Sequence, residues 1–155
     1  KLVDENRAFP ARHFGTPYRG HHGHDSSQLH YVMAAKHPVM TGIKPRFWTP
    51  DFHYAVNPLG IECTPLMIGQ GLKGRYRATF KEVGGHNHAM VLSAKDQVRL
   101  SGSPHPVIWT IDSKLKRRAL VTTIGARKSF EDPNVQTLYR NAVLWCLSLP
   151  VPGDM

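Results

Sequence analysis

Pro106-Val107-Ile108-Trp109-Thr110, then Ala119-Leu120-Val121-Thr122-Thr123-Ile124-Gly125, then Phe130-Glu131-Asp132-Pro133 leading to Asn141-Ala142-Val143-Leu144-Trp145 and Pro150-Val151-Pro152, form the stretch that decides the fold. The first two segments are short, apolar and rich in β-branched residues, as strands are. Lys114, Lys116, Arg117 and Arg118 between them read as a solvated turn, which makes an antiparallel pair near the C-terminus. Asp132 is a good N-cap because its carboxylate can accept from the unpaired N–H groups of a first helical turn, and Pro133 suits that turn because it has no N–H to satisfy. Val135, Leu138, Ala142, Trp145 and Leu149 recur every three or four residues, the stripe of an amphipathic helix laid on a sheet. Pro150 and Pro152 stop it. Cys146 falls inside this apolar pattern and reads as core.

Working back toward the N-terminus, Leu29, Tyr31 and Met33 alternate as a strand does. In His37-Pro38-Val39-Met40-Thr41-Gly42-Ile43 the proline biases His37 away from helix, and Gly42 can close a single short turn. His37 is then placed to hydrogen-bond the backbone and fix that turn. Arg46–Pro58 is aromatic and framed by prolines, so it reads as a partly buried loop packed on the core. Leu66-Met67-Ile68 reads as a strand and the glycines from Gly69 to Gly74 as a loop without the setting of a phosphate-binding turn. Tyr76–Val83 and His88–Leu92 read as further strands or an insertion. Residues 1–17 are an irregular lead-in with at most a short helix.

With 155 residues the chain suits one domain, and its 41% hydrophobic and 20% charged content is ordinary for a globular protein. No apolar run approaches the about 18 residues of a membrane span. The formal charge of +9 invites an anionic partner, yet no zinc finger, RNP motif or basic helix accompanies it, so nucleic acid is disfavoured. Cys63 and Cys146 are too few for a disulfide framework or a four-cysteine zinc site, and Cys63 lacks the context of a nucleophile elbow. They leave the compartment open: cytoplasmic, or periplasmic if a signal has been removed ahead of Lys1.

Tyr18-Arg19-Gly20-His21, His37 to Ile43, Asp51-x-x-Tyr54, Pro106 to Thr110, Thr122-Thr123-Ile124-Gly125 and Asn141 to Trp145 with the Pro-Val-Pro tail together resemble, in order and rough spacing, the second half of a ThuA-like (trehalose utilisation) domain. The resemblance covers roughly residues 18–152 and makes the whole of 1–155 a single such domain. It implies an α/β, flavodoxin-like three-layer fold with helices on both faces of the sheet, similar to class I glutamine amidotransferases, with ligands at the carboxyl ends of parallel strands. It also implies a role in carbohydrate metabolism, with oxidised disaccharides as the suggested substrates. The family's N-terminal half has no counterpart here, which leaves an open sheet edge for a partner chain or a second copy to cover, unless the chain itself is incomplete. Phe52 stands where the family often has glutamate, Leu115-Lys116-Arg117-Arg118 where it has Gly-Lys-Gly-Arg, and Ala126 where it tends to have histidine.

Candidate site residues follow from chemistry and from this match. Ten histidines are many for this length, and His21-His22-Gly23-His24 and His86-Asn87-His88 are the dense groups. Neutral imidazole is the commonest metal ligand, so His21, His22 and His24 are candidates for a divalent metal such as zinc. His21 also matches a recurrent family position. Asp51 and Tyr54 could bind sugar hydroxyls or serve with His21 as acid and base, or Asp51 could cap a turn while Tyr54 packs. His53 lies between them, and Trp109 and Thr110 end a strand where a pocket wall belongs, although Trp109 also reads simply as a large core residue. Two readings follow: a protein that binds or transforms a keto-sugar or disaccharide, by isomerisation or hydrolysis, or a non-catalytic ThuA-like module that scaffolds a partner chain.

Overall fold

The computed structural model describes residues 9–17, 21–22, 27–51, 53–56, 59–73, 79–82, 88–91, 99–112 and 118–153. The elements are α1 (residues 9–14), β1 (His21–His22), β2 (Ser27–Val32), β3 (Arg46–Thr49), β4 (His53–Tyr54), β5 (Cys63–Lys73), β6 (Thr79–Glu82), β7 (His88–Val91), β8 (Arg99–Asp112), β9 (Arg118–Thr122) and α2 (Pro133–Cys146). Five strands form one sheet in the order β3-β2-β5-β8-β9, and every pairing in it is antiparallel. Two small sheets, β1 with β4 and β6 with β7, complete the strands.

The antiparallel pair near the C-terminus is present as expected, with Ile108 opposite Thr122 and Thr110 opposite Leu120. The doubly wound parallel sheet is not what the described residues form. Parallel neighbours need a crossover connection of about a dozen residues or more, usually a helix. Here β2 and β3 are joined by residues 33–45, which hold only a 3-10 turn (Pro38–Met40), and the strands fold back on each other. The expected loop at Arg46–Pro58 instead supplies strands β3 and β4. In β3 the burial alternates, with Phe47 and Thr49 inward, so Phe47 is a strand residue packed in the core while Trp48 faces the other way and is half-buried. The glycines at 69 and 71 extend β5 rather than ending it, and Pro65 sits inside that central strand. Register shifts between Pro65 and Met67, Met67 and Ile68, and Gly69 and Gly71 absorb both departures. The expected extra strands are β6 and β7, a hairpin inserted between β5 and β8.

The core is built from Val39, Met40, Phe47, Leu66, Met67, Val107, Ile108, Ile124, Val135 and Leu138. Helix α2 buries Val135 and Leu138 in it, and Asp132 caps the helix by accepting from the Asn134 N–H at 2.7 Å. Buried amides tie the helix down. Asn134 Oδ1 accepts from Lys44 N at 2.9 Å, and Asn141 Nδ2 donates to Thr41 O at 2.8 Å and Val39 O at 3.2 Å. His37 does fix the turn it precedes, its Nδ1 accepting from Val39 N at 3.3 Å, and Gly42 follows at φ 74°. The helix ends before the prolines. Ser148 turns left-handed at φ 59°, with Ser148 N–H donating to Trp145 O and Leu149 N–H to Leu144 O, a Schellman closure. Cys146 is exposed and not in the core, because nothing covers that side of the last helical turn among the described residues. No helix among them is long and apolar enough to cross a membrane.

Candidate functional site

An open cleft of about 560 Å³ lies between α1, the residues around β4, and β8 and β9. Its walls are Pro10 and Phe14 from α1, Thr16 just beyond it, Tyr54 and Val56, Trp109, and Leu120 to Thr123. None of these side chains is charged, so the cleft offers aromatic and aliphatic surface with hydroxyls set into it.

Local anchors hold the wall that α1 contributes. Trp109 is 1% exposed, and its indole Nε1 donates to Phe14 O at 2.8 Å. Gly15 O accepts from Gly60 N at 2.6 Å, and Thr16 Oγ1 donates to Val56 O. Trp109 is therefore a fixed floor, and the surfaces left for a ligand are half-buried Tyr54 and exposed Phe14.

The sequence-predicted residues come together only in part. The β1–β4 pairing sets His21 opposite Tyr54 and His22 opposite His53, and Tyr54 and Trp109 both line the cleft. Thr110 is buried on β8 but is not among the cleft-lining residues. His24 and the pair at 86–87 lie outside the described residues, as do residues 113–117 of the basic turn. Among the described residues no group of three His, Cys, Asp or Glu side chains could hold a metal ion. Buried His30 has an ordinary structural role, its Nε2 lying 2.6 Å from Thr49 Oγ1.

Asp51 is placed differently from an acid or base open to substrate. It is 2% exposed; Oδ1 accepts from Gly125 N at 2.8 Å and Ala126 N at 2.6 Å, and Oδ2 accepts from Ser129 Oγ. Ala126 begins a 3-10 turn (Arg127–Glu131) and has no side-chain cap of its own, so Asp51 supplies the cap from a distant segment. The segment leading from β9 to α2 is held at further points. Thr123 N donates to Val107 O at 2.9 Å, Ile124 N to Thr122 Oγ1 at 3.1 Å, and Tyr139 Oη to Ile124 O. Asp51 thus locks the strip that carries Thr122 and Thr123 into the cleft wall.

Burial raises the Tyr139 phenol above its ordinary pKa of 10, and the nearby Asp51 charge adds to this. The folded state then keeps its proton where the unfolded chain has lost it. Stability should be undiminished below about pH 10 and should fall as pH rises beyond it. Urea titrations across pH 8–11 should show this fall in the native protein and a shallower one in Tyr139→Phe.

Sequence reasoning missed Phe14, Thr16, Val56 and the two clamps Ser129 and Tyr139. Phe14 and Thr16 lie in a polar stretch with no periodicity to mark them. Tyr139 had a signal, since it lies four residues after Val135 and one after Leu138 and so widens the buried stripe.

No protein-family model matches the sequence, and no curated protein matches it. Among solved structures, the chain is similar to a crystal structure of a protein from Bacteroides uniformis described as ThuA-like, at 18% identity and a TM-score of 0.59. The match covers 90% of this chain and 51% of that one, so the chain spans about half the length of the protein whose fold it shares.

Proposed function

We propose that the chain is a ThuA-like protein of carbohydrate metabolism whose cleft binds a sugar-type ligand, a keto-sugar or disaccharide. The observation that carries this is the cleft itself: about 560 Å³ of open space walled by Tyr54 and Phe14 over a floor of Trp109, with Thr16, Thr122 and Thr123 beside them and no charged side chain among the described residues that line it. A sugar ring has apolar C–H faces that pack on aromatic rings and an equatorial belt of hydroxyls that pair with threonines, and specificity in such pockets rests on a few placed polar groups. The shared fold with a ThuA-like protein agrees with this reading without fixing it.

Tyr54 would pack on the ring, and its phenol would serve as proton donor or acceptor. His21 stands opposite Tyr54 in register and would complete an acid–base pair. Asp51 would position and not react, since both its oxygens are already engaged. Any turnover would therefore depend on His21 and Tyr54.

Calorimetric titration with trehalose and with its keto-oxidised form tests the reading. At least one should bind, and Tyr54→Ala and Phe14→Ala should each weaken binding by about tenfold or more, a loss of about 1.4 kcal/mol, with unchanged circular dichroism. No heat of binding for either sugar would sink the proposal.

A further inference from the structure

Thr16, Thr122 and Thr123 line the cleft, and two of the three hydroxyls are already engaged with backbone. Thr16 Oγ1 donates to Val56 O, and Thr122 Oγ1 accepts from Ile124 N at 3.1 Å. Thr123 is different. Its Oγ1 is covered from solvent, yet it has no hydrogen-bond partner among the described residues. A hydroxyl taken out of water without a partner costs free energy that a methyl of the same size does not. Buried polar atoms are paired in the great majority of cases, so an orphan beside a cleft calls for a reason.

The backbone around this oxygen is fixed. Thr123 N donates to Val107 O at 2.9 Å, and the Gly125 and Ala126 amides just beyond it donate to Asp51. Position 123 is therefore held between β8 and the Asp51 lock, which leaves the side chain as the part that can turn. The residue as a whole is half-buried and belongs to the cleft wall, although its oxygen is covered. A rotation of about 120° about Cα–Cβ, from one staggered well to the next, moves the oxygen into the place of another substituent of Cβ. In its present well the oxygen makes no bond that such a turn would break.

We infer that Thr123 is the specificity-determining residue of the cleft: its hydroxyl turns toward the bound ligand and pairs with a sugar hydroxyl, a role that rests on the reading of the cleft as a sugar site. A threonine hydroxyl both donates and accepts, as a sugar hydroxyl does, so the two match in either direction. In the free protein the oxygen is desolvated without a bond, and in the complex it gains one. A ligand with a hydroxyl at that point is favoured, and one with only a C–H there leaves the oxygen orphaned and is rejected.

The test reads fold and ligand separately on Thr123→Val. Its thermal midpoint should rise by about 2–4 °C, because a methyl replaces the orphaned oxygen. In calorimetric titration with trehalose and with its keto-oxidised form, the same variant should bind about tenfold more weakly whichever sugar the native protein binds. Thr123→Ser keeps the hydroxyl and should bind nearly as tightly as the native protein. Stability gained while binding is lost marks a ligand contact, since a packing role would lower both. Thr122→Val, which strips the acceptor from Ile124 N, should lower the midpoint instead. Native-like binding by Thr123→Val overturns the inference and leaves the sugar reading standing. A lowered midpoint for Thr123→Val also overturns it, because the oxygen would then be paired within the fold. If neither sugar binds the native protein, the sugar reading fails and the role of Thr123 falls with it.

Discussion

Asp51→Ala should lower the stability of the fold by about 3 kcal/mol, because three donors lose their acceptor at once. The Ser129 hydroxyl is fully buried and has no route to water, while the Gly125 and Ala126 amides lie nearer the surface and can recover part of the loss by hydration. That difference keeps the cost near 3 kcal/mol and below three full desolvation penalties of about 1–3 kcal/mol each. For a domain of this size the midpoint of thermal unfolding should fall by roughly 6–12 °C. Asp51→Asn should be much milder, about 1 kcal/mol. Its carbonyl can still accept from the two backbone amides, and its NH2 can donate to Ser129 Oγ, which reverses that bond without breaking it. Thermal unfolding of the two variants checks this. If alanine proves no worse than asparagine, the carboxylate is not what holds the strip from β9 to α2, and an acid–base role for Asp51 becomes the better explanation of its presence.

The legible parts of this fold are those whose cause is local. Asp132, Pro133 and the Val135–Leu138 stripe state the start and buried face of α2 within a few residues, and His37 ahead of Pro38 states its own turn. The β8–β9 pair could be read because a short basic segment separates two apolar runs. Sheet order could not be read in the same way, since nothing within β2 or β5 says which strand will lie beside it. Resemblance filled that gap with a parallel arrangement that the pairing does not show. Glycine and proline misled where bulges absorb them, so a continuous β5 looked like a short strand and a loop. The site divides along the same line. Tyr54, named three residues after Asp51, and Trp109, named at the end of a strand, both line the cleft. The role of Asp51 was hidden because its partners lie 74, 75 and 78 residues away.

Gly15→Ala should be about as damaging, for reasons that can be separated. Gly15 has φ 72°, in the left-handed region, where an alanine costs about 1–2 kcal/mol. An added Cβ would also lie 2.2 Å from Cys63 Sγ, far inside contact distance, so either the Cys63 side chain must rotate out of its place or the strap at 14–16 must move. Together the strain and the displacement should cost about 3 kcal/mol. The strap carries Phe14 and Thr16 into the cleft wall, and the Trp109–Phe14 and Gly60–Gly15 hydrogen bonds fix its position. Binding of the proposed sugar ligand should therefore weaken even at temperatures where the variant stays folded. Cys63→Ala in the Gly15→Ala background removes the sulfur and leaves the nearest atoms at 3.9 Å, an ordinary contact. The double variant should regain the displacement part and retain only the backbone strain of about 1–2 kcal/mol. Urea unfolding of the four proteins of this cycle measures the coupling directly. A cycle in which the two substitutions simply add would show that the sulfur does not limit the strap, and that left-handed strain alone sets the cost at Gly15.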